Sequence, residues 1–274
     1  MTKLKLALCQ MNVIDDKTEN IKKASSMISD ASKKADFVVL PEMFNCPYSN
    51  DKFIEYGEEE NDSYTLNKVS DLARENNIYL LAGSIPERED DKLFNTSYLF
   101  DRQGKIIAKH RKMHLFDIDV KDKITFKESD VLTAGNEFSL ADTEFGKIGI
   151  GICYDIRFPE LARIMVEKGA LILFYPGAFN MTTGPAHWQL LFRSRALDNQ
   201  VYCVGVAPAL NEDASYHSYG HSIIANPWGE VMAEAGQKEE IIFCEIDLDE
   251  IKKVREELPL LKNKRKDLYE IIEK

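Results

Sequence analysis

The segment GIGICYDIRFPE (residues 149–160) places a cysteine where chemistry is possible. Ile148, Ile150 and Ile152 alternate with Gly149 and Gly151 as a strand, Cys153 closes it, and Pro159 opens a helix. A helix start favours negative charge through its dipole and free N–H groups, and the thiolate is the nucleophilic form of cysteine. The N–H groups just after such a residue can also bind a developing oxyanion. The alternative is packing, because an unpaired cysteine is usually a small buried hydrophobe. The local pattern leaves both readings open.

A reactive cysteine needs a proton acceptor, most often histidine. The candidates are His110, His114, His187, His217 and His221. Two pairs are spaced by four residues, as metal ligands on a helix can be. Neither pair sits in a convincing helix, and no HExxH or Cys–His cluster accompanies them, so no metal site is expected. Glu42, closing DFVVLPE, is a second candidate base. A carboxylate ending a fully apolar strand is costly to bury without a partner, and strand ends in α/β sheets are where sites collect. A surface carboxylate at a loop start is the other reading. Lys112, in HRKMHLFD, also follows an extended apolar strand. A lone lysine there is ordinarily solvated, but beside a carboxylate and a thiolate its ammonium would stabilise an oxyanion.

These residues are positioned by alternating strand and helix signals. LKLALCQ reads as a strand, and residues 18–34 place Ile21, Ala24, Ile28 and Ala31 at helical spacing. DFVVLPE is a strand, residues 65–77 repeat the helical period, and IYLLAGSI is a strand again. LFNTSYLFD and KIIAKHRK flank a turn at Gln103-Gly104 and read as a hairpin. After KIGIGICYD come a helix from Pro159 to Lys168, the strand ALILFYPG, a helix from Pro185 to Asn199 and the strand QVYCVGVAPA. HSIIANPWGEVMAEAG reads as a second hairpin, and IIFCEIDL as a last strand before a helix over 249–257. Strands apolar on both faces imply sheets covered by helices, and the hairpins require antiparallel pairing, so a mixed α/β domain spanning 1–274 is expected. No linker, repeat or low-complexity tract divides it.

The net charge of −11 argues against nucleic-acid or anionic-membrane binding, which depends on clustered Lys and Arg. The one basic run, KNKRK (262–266), reads as a solvated stretch of a charged tail. The five cysteines are odd in number and scattered, with no CxxC, which excludes a disulfide framework or zinc ribbon. Cys9, Cys203 and Cys244 lie in apolar strands and read as core thiols of a reducing compartment. The first apolar run is too short for a signal peptide, and the charge-free stretch 169–192 contains Pro176, Asn180, Pro185 and His187, unlike a membrane helix. A soluble cytoplasmic protein is expected.

Three motifs together resemble the signatures of the nitrilase superfamily of carbon–nitrogen hydrolases: LPEMF (40–44), HRKMHLFD (110–117) and GICYDIRFPEL (151–161). The resemblance covers nearly the whole chain. YPGAFNMTTGPAHWQLLFRSRALDNQ (175–200), GHSIIANPWGEV (220–231) and the ending PLLKNKRKDLY (259–269) look like blocks of its omega-amidase branch. The resemblance implies an α-β-β-α sandwich that forms a homodimer across helices, with the tail from about 257 packing on the domain or the partner. It implies a triad of Glu42 as base, Lys112, and Cys153 as nucleophile, with Glu128 as a second glutamate orienting the lysine. His110 departs from the branch, where an aromatic tyrosine is expected.

The implied reaction is amide hydrolysis through a cysteine thioester, with Lys112 and the Tyr154 backbone N–H stabilising the oxyanion, and with no metal or cofactor. Omega-amidases take short dicarboxylate monoamides such as 2-oxoglutaramate and 2-oxosuccinamate. Arg157 is placed to hold the remote carboxylate of such a small-molecule amide, the alternative being a structural salt bridge. Phe179, Met181 and Thr182 are candidate pocket walls, and residues 116–128, rich in Asp and Lys, a candidate lid or simply an exposed loop. Competing readings are an N-carbamoyl or nitrile hydrolase of the same superfamily, a Cys–His hydrolase, and a non-catalytic binding protein on the same fold.

Overall fold

Leu4, Leu6 and Leu8 point one way from the first strand and Ala7 and Cys9 the other, and both sets are buried. That is the signature of a strand covered on two faces. The computed structural model describes residues 3–122 and 124–273. The first sheet contains β1 (Lys3–Gln10), β2 (Phe37–Val39), β3 (Glu58–Glu59), β4 (Tyr79–Glu89), β5 (Lys92–Phe100) and β6 (Ile106–Arg111). A separate hairpin follows, β7 (Asp117–Val120) and β8 (Ile124–Lys127). The second sheet contains β9 (Ser139–Thr143), β10 (Gly146–Ile150), β11 (Ile172–Pro176), β12 (Tyr202–Val206), β13 (Ile223–Ala225) and β14 (Val231–Glu234). The last strand, β15 (Glu240–Asp247), returns to the first sheet.

The strand order is β15-β1-β2-β4-β5-β6 in the first sheet, with β3 beside β4, and β14-β13-β12-β11-β10-β9 in the second. Both sheets are mixed: β1, β2 and β4 run parallel, as do β10, β11 and β12, and the hairpins add antiparallel edges. Between them lies a core in which Leu4, Leu6, Leu8, Val39 and Leu81 meet Ile148, Ile150, Ile172, Phe174 and Val204. Phe37 stacks on Phe174 across that gap with ring centroids 4.8 Å apart. On the outer face of the first sheet pack α1 (Lys17–Ala31) and α3 (Tyr64–Asn76), while the short α2 (Asn50–Tyr56) follows the Glu42 loop. On the outer face of the second sheet pack α4 (Pro159–Glu167) and α5 (Gly184–Asn199). The expected α-β-β-α sandwich is therefore present, and α6 (Asp249–Glu257) follows β15.

Three readings change. The stretch 116–128, expected as a lid or simply an exposed loop, carries the paired strands β7 and β8, because Ile118 and Val120 alternate with Asp117 and Asp119 and pair with Phe126 and Ile124; Lys123 lies outside the described residues. Cys244 is half-buried on edge strand β15, unlike the fully buried Cys9 and Cys203. The basic run is not wholly solvated, since the Lys264 ammonium is largely covered and pairs with Glu167 at 2.6 Å. Lys168 pairs with Glu273, and Leu261 packs against the core cluster that includes α4 and α5; Lys274 lies outside the described residues. No helix among the described residues is long and apolar enough to cross a membrane.

Candidate active site

The loop after β2 is pinned to β4. Leu40 N–H donates to the Leu81 carbonyl, Met43 N–H to Ser84 Oγ and Phe44 N–H to the Ser84 carbonyl. Gly83 permits this approach, because a Cβ there would lie 1.8 Å from the Leu40 oxygen. Met43 takes a left-handed conformation (φ 52°), and the turn aims Glu42 inward, where it is fully buried. Glu42 Oε1 accepts from Asn95 Nδ2 at 2.8 Å and from Lys112 Nζ at 3.0 Å, and Oε2 accepts from the Ala178 N–H at 2.6 Å.

Lys112 follows β6, and its N–H donates to the Asn95 carbonyl at 2.8 Å. Its buried ammonium donates to Glu42 Oε1, to Glu128 Oε1 at 2.8 Å and to Tyr48 Oη at 3.4 Å. Glu128 is fixed in turn by the Tyr48 hydroxyl at 2.6 Å and the Phe116 N–H at 2.6 Å. Two buried carboxylates thus clamp one buried ammonium. Burial works against the charge on Lys112, but Glu128 and Glu42 outweigh it and hold its pKa above the ordinary lysine value.

Cys153 stands where β10 runs out, with φ 46°. A left-handed backbone costs a non-glycine residue roughly 1–2 kcal/mol, so the surrounding structure must enforce it. Gly151 N–H donates to the Phe174 carbonyl at 2.9 Å, and Asp155 Oδ2 accepts from the Ile152 N–H at 2.9 Å. Residues 153–157 form a 3₁₀ turn in which the early N–H groups, Tyr154 among them, have no intrahelical partner.

The thiol differs from the preformed thiolate that a helix N-terminus suggested. Burial first, and the neighbouring Glu42 second, push its pKa well above the ordinary thiol value. Burial likewise raises Glu42, against the opposing pull of Lys112. With Glu128 also beside them, the site holds more acidic groups than its one ammonium can neutralise, so burial and the neighbouring carboxylates oppose ionisation of the thiol.

Around Cys153 lies a cleft lined by Phe116, Tyr154, Arg157, Ala178, Phe179 and Thr183, too narrow as it stands for free solvent. Of the expected walls, Phe179 lines it; Met181 is exposed and Thr182 lies outside, with the adjacent Thr183 in their place. A wider cavity of about 430 Å³ reaches the Glu42 side past Tyr48, Ala178 and Tyr216 and includes neither Cys153 nor Arg157.

Arg157 faces Cys153 without a carboxylate partner among the described residues. Its guanidinium carbon lies 4.5 Å from the Phe179 ring centre and 5.6 Å from that of Tyr154, Nη1 meets His187 Nδ1 at 3.2 Å, and Nε has no partner. Burial lowers its pKa from the ordinary arginine value. The structural salt bridge is therefore absent at this residue. His110 and His114 converge on Asp155 rather than on one another, and no group of three or more metal-ligating side chains occurs among the described residues.

The motifs did not reveal Asn95, Tyr48 or the Ala178 N–H, which hold the glutamates. Asn95 carried a signal, being a polar residue within the buried strand LFNTSYLF. Tyr48 and Ala178 reach the site only through the packing of distant loops.

A buried thiol, two glutamates and a lysine on an α-β-β-α sandwich define a class of hydrolase. The Carbon-nitrogen hydrolase family model matches residues 5–256, and the chain belongs to this family. Within it the chain is 50% identical to omega-amidase NIT2 of Bos taurus, over 99% of this chain and 98% of that one, and 49% identical to omega-amidase NIT2 of Homo sapiens over the same shares. The crystal structure of Saccharomyces cerevisiae Nit3, a member of branch 10 of the nitrilase superfamily, superposes with a TM-score of 0.89 at 45% identity over 96% of this chain and 97% of that one. The protein is an amidohydrolase of the omega-amidase branch, acting on non-peptide carbon–nitrogen bonds.

Proposed function

We propose that the protein hydrolyses the terminal amide of short dicarboxylate monoamides, 2-oxoglutaramate and 2-oxosuccinamate among them, through a thioester on Cys153. Glu42 takes the thiol proton as the sulfur attacks the amide carbonyl. Lys112 and the Tyr154 N–H stabilise the tetrahedral oxyanion; losing one such donor typically costs on the order of 100-fold in rate. Collapse of the intermediate breaks the C–N bond, and Glu42 returns its proton to the departing ammonia. Glu42 then deprotonates a water that attacks the thioester, releasing the dicarboxylate and restoring the thiol. One carboxylate serves both halves of the reaction.

The observation carrying the substrate class is Arg157, a guanidinium beside the nucleophile with aromatic faces around it and no carboxylate partner among the described residues. A substrate carboxylate would complete a charge-assisted pair and aim the amide at sulfur. The test is ammonia release from 2-oxoglutaramate, from an N-carbamoyl amino acid and from a simple nitrile. Turnover of the first should dominate, and its absence would overturn the reading. Arg157→Met should raise KM for 2-oxoglutaramate by about 10- to 100-fold, a loss of about 1.5–3 kcal/mol for a hydrogen bond to a charged group, with a much smaller change for an uncharged amide.

The same reading carries a homodimer in a reducing, cytoplasmic setting, with no nucleic-acid or membrane partner. All five cysteines are free. The outer face of α5 exposes Leu190 and Leu197, and Gly229 of the β13–β14 turn packs against Leu197 beside exposed Trp228. Leu190→Lys with Leu197→Lys should convert the dimer to monomer in sedimentation velocity; a wild-type monomer would remove this part of the proposal.

A further inference from the structure

Asp155 is fully buried, and its side chain ties its own turn, which carries Cys153, to the segment that carries Lys112. Oδ2 accepts from the Ile152 N–H at 2.9 Å and faces His110 Nε2 at 3.0 Å. Oδ1 accepts from the His114 N–H at 3.0 Å and faces His114 Nδ1 at 2.7 Å. Burial opposes the charge on Asp155, but the bonds from His110 and His114 outweigh it and hold its pKa below the ordinary aspartate range. An ionised carboxylate only accepts, so both imidazole nitrogens donate. His110 and His114 are the residues two before and two after Lys112, and Asp155 is two after Cys153. Ser139 Oγ lies behind the His110 ring, 3.2 Å from Nδ1, with its hydroxyl hydrogen-bonded to the Lys109 carbonyl. His114 stacks on Phe158, at the far end of the Cys153 turn, with centroids 3.6 Å apart.

We infer that the His110–Asp155–His114 bridge is a positioning device, which fixes the strand end bearing Lys112 against the turn bearing Cys153 and so sets the lysine-to-thiol alignment. It rests on the reading of Cys153 as nucleophile and Lys112 as oxyanion donor. The bridge touches neither substrate nor reacting atoms. Its effect falls on kcat, because a misplacement of about 1 Å can cost on the order of 100-fold. KM is protected by a separate anchor: Arg195 Nε donates to the Ile156 carbonyl at 2.8 Å and Nη2 to the Arg157 carbonyl at 3.3 Å, holding the Arg157 end of the turn independently.

Two isosteric variants separate positioning from simple packing. His110→Gln returns a donor near the place of Nε2 and keeps the bond to Asp155, whereas His110→Asn places its amide near Nδ1, toward Ser139, and loses it. With 2-oxoglutaramate, His110→Asn should lose about 10- to 100-fold in kcat with KM within about twofold, and His110→Gln should recover to within about threefold of wild type. Equal kcat for the two folded variants, or a loss carried by KM, would overturn the inference. Should either fail to fold, His114 decides, since its ring is partly exposed. His114→Ala should then lower kcat about tenfold and His114→Asn, which restores a donor near Nδ1, should recover it; no difference between them would also overturn the inference. Cys153→Ala, assayed alongside, separates the two levels. Turnover above about one-hundredth of wild type in that variant removes the nucleophile reading itself, whereas a Cys153→Ala below that level beside a fully active His110→Asn removes only the bridge.

Discussion

Cys153→Ala is expected to abolish ammonia release, by on the order of 10⁴-fold or more, while leaving the fold intact. Removing a nucleophile leaves only what binding and the oxyanion donors supply, and that residue of catalysis is small. Stability should respond differently. The thiol is held in a left-handed turn beside two carboxylates that raise its pKa, so its contribution to the resting fold is slight. Alanine keeps the backbone penalty and glycine removes it, at a cost in chain entropy. Cys153→Gly should therefore melt at or above Cys153→Ala, by up to about 1 kcal/mol, while being equally inactive. Circular dichroism melts beside an ammonia assay read both quantities. If Cys153→Ala kept more than about one-hundredth of wild-type turnover, the nucleophile would have to be sought elsewhere.

The parts of this site that were legible in the sequence are those fixed by short-range rules. DFVVLPE and GIGICYD stand out because strands β2 and β10 are covered on both faces and read as unbroken apolar runs that stop at a functional residue. The β7–β8 hairpin was hidden because its alternation is carried by four half-covered side chains among charges, and α2 because seven residues barely complete two turns. The electrostatics were hidden for a different reason. A helix N-terminus lowers a thiol pKa when the thiol is solvated; here burial and Glu42 dominate, and both arise from packing between two sheets. Nor does spacing alone distinguish two histidines sharing a metal from two sharing Asp155. That no described residue offers Arg157 a carboxylate was likewise invisible, since such a gap is a property of every neighbour at once.

Glu42→Gln should separate two effects of the same carboxylate, in opposite directions. As the proposed base in both half-reactions, Glu42 cannot be replaced by an amide, and turnover should fall by about 10²–10⁴-fold, the usual contribution of a positioned proton-transfer group. Yet the charge on Glu42 also raises the Cys153 pKa, while Lys112 lowers it. Removing that charge leaves the sulfur facing the ammonium with one fewer competing anion. The thiolate fraction at a given pH then increases, so the pH profile of iodoacetamide alkylation at Cys153 should move to lower pH than in wild type, although the enzyme no longer turns over. Mere disruption of the site would instead lose turnover with no ordered movement of that profile, or would expose every cysteine alike. Peptide mapping after alkylation separates Cys153 from the half-exposed Cys244, while the buried Cys9, Cys46 and Cys203 should stay unmodified on the same timescale. An acyl adduct on Cys153 in wild type mixed with substrate would supply the complementary observation, since a thioester adds the acyl mass and loses ammonia. A profile that moved to higher pH in Glu42→Gln would mean that Glu42 stabilises the thiolate rather than opposing it, and this account of the site's electrostatics would fall.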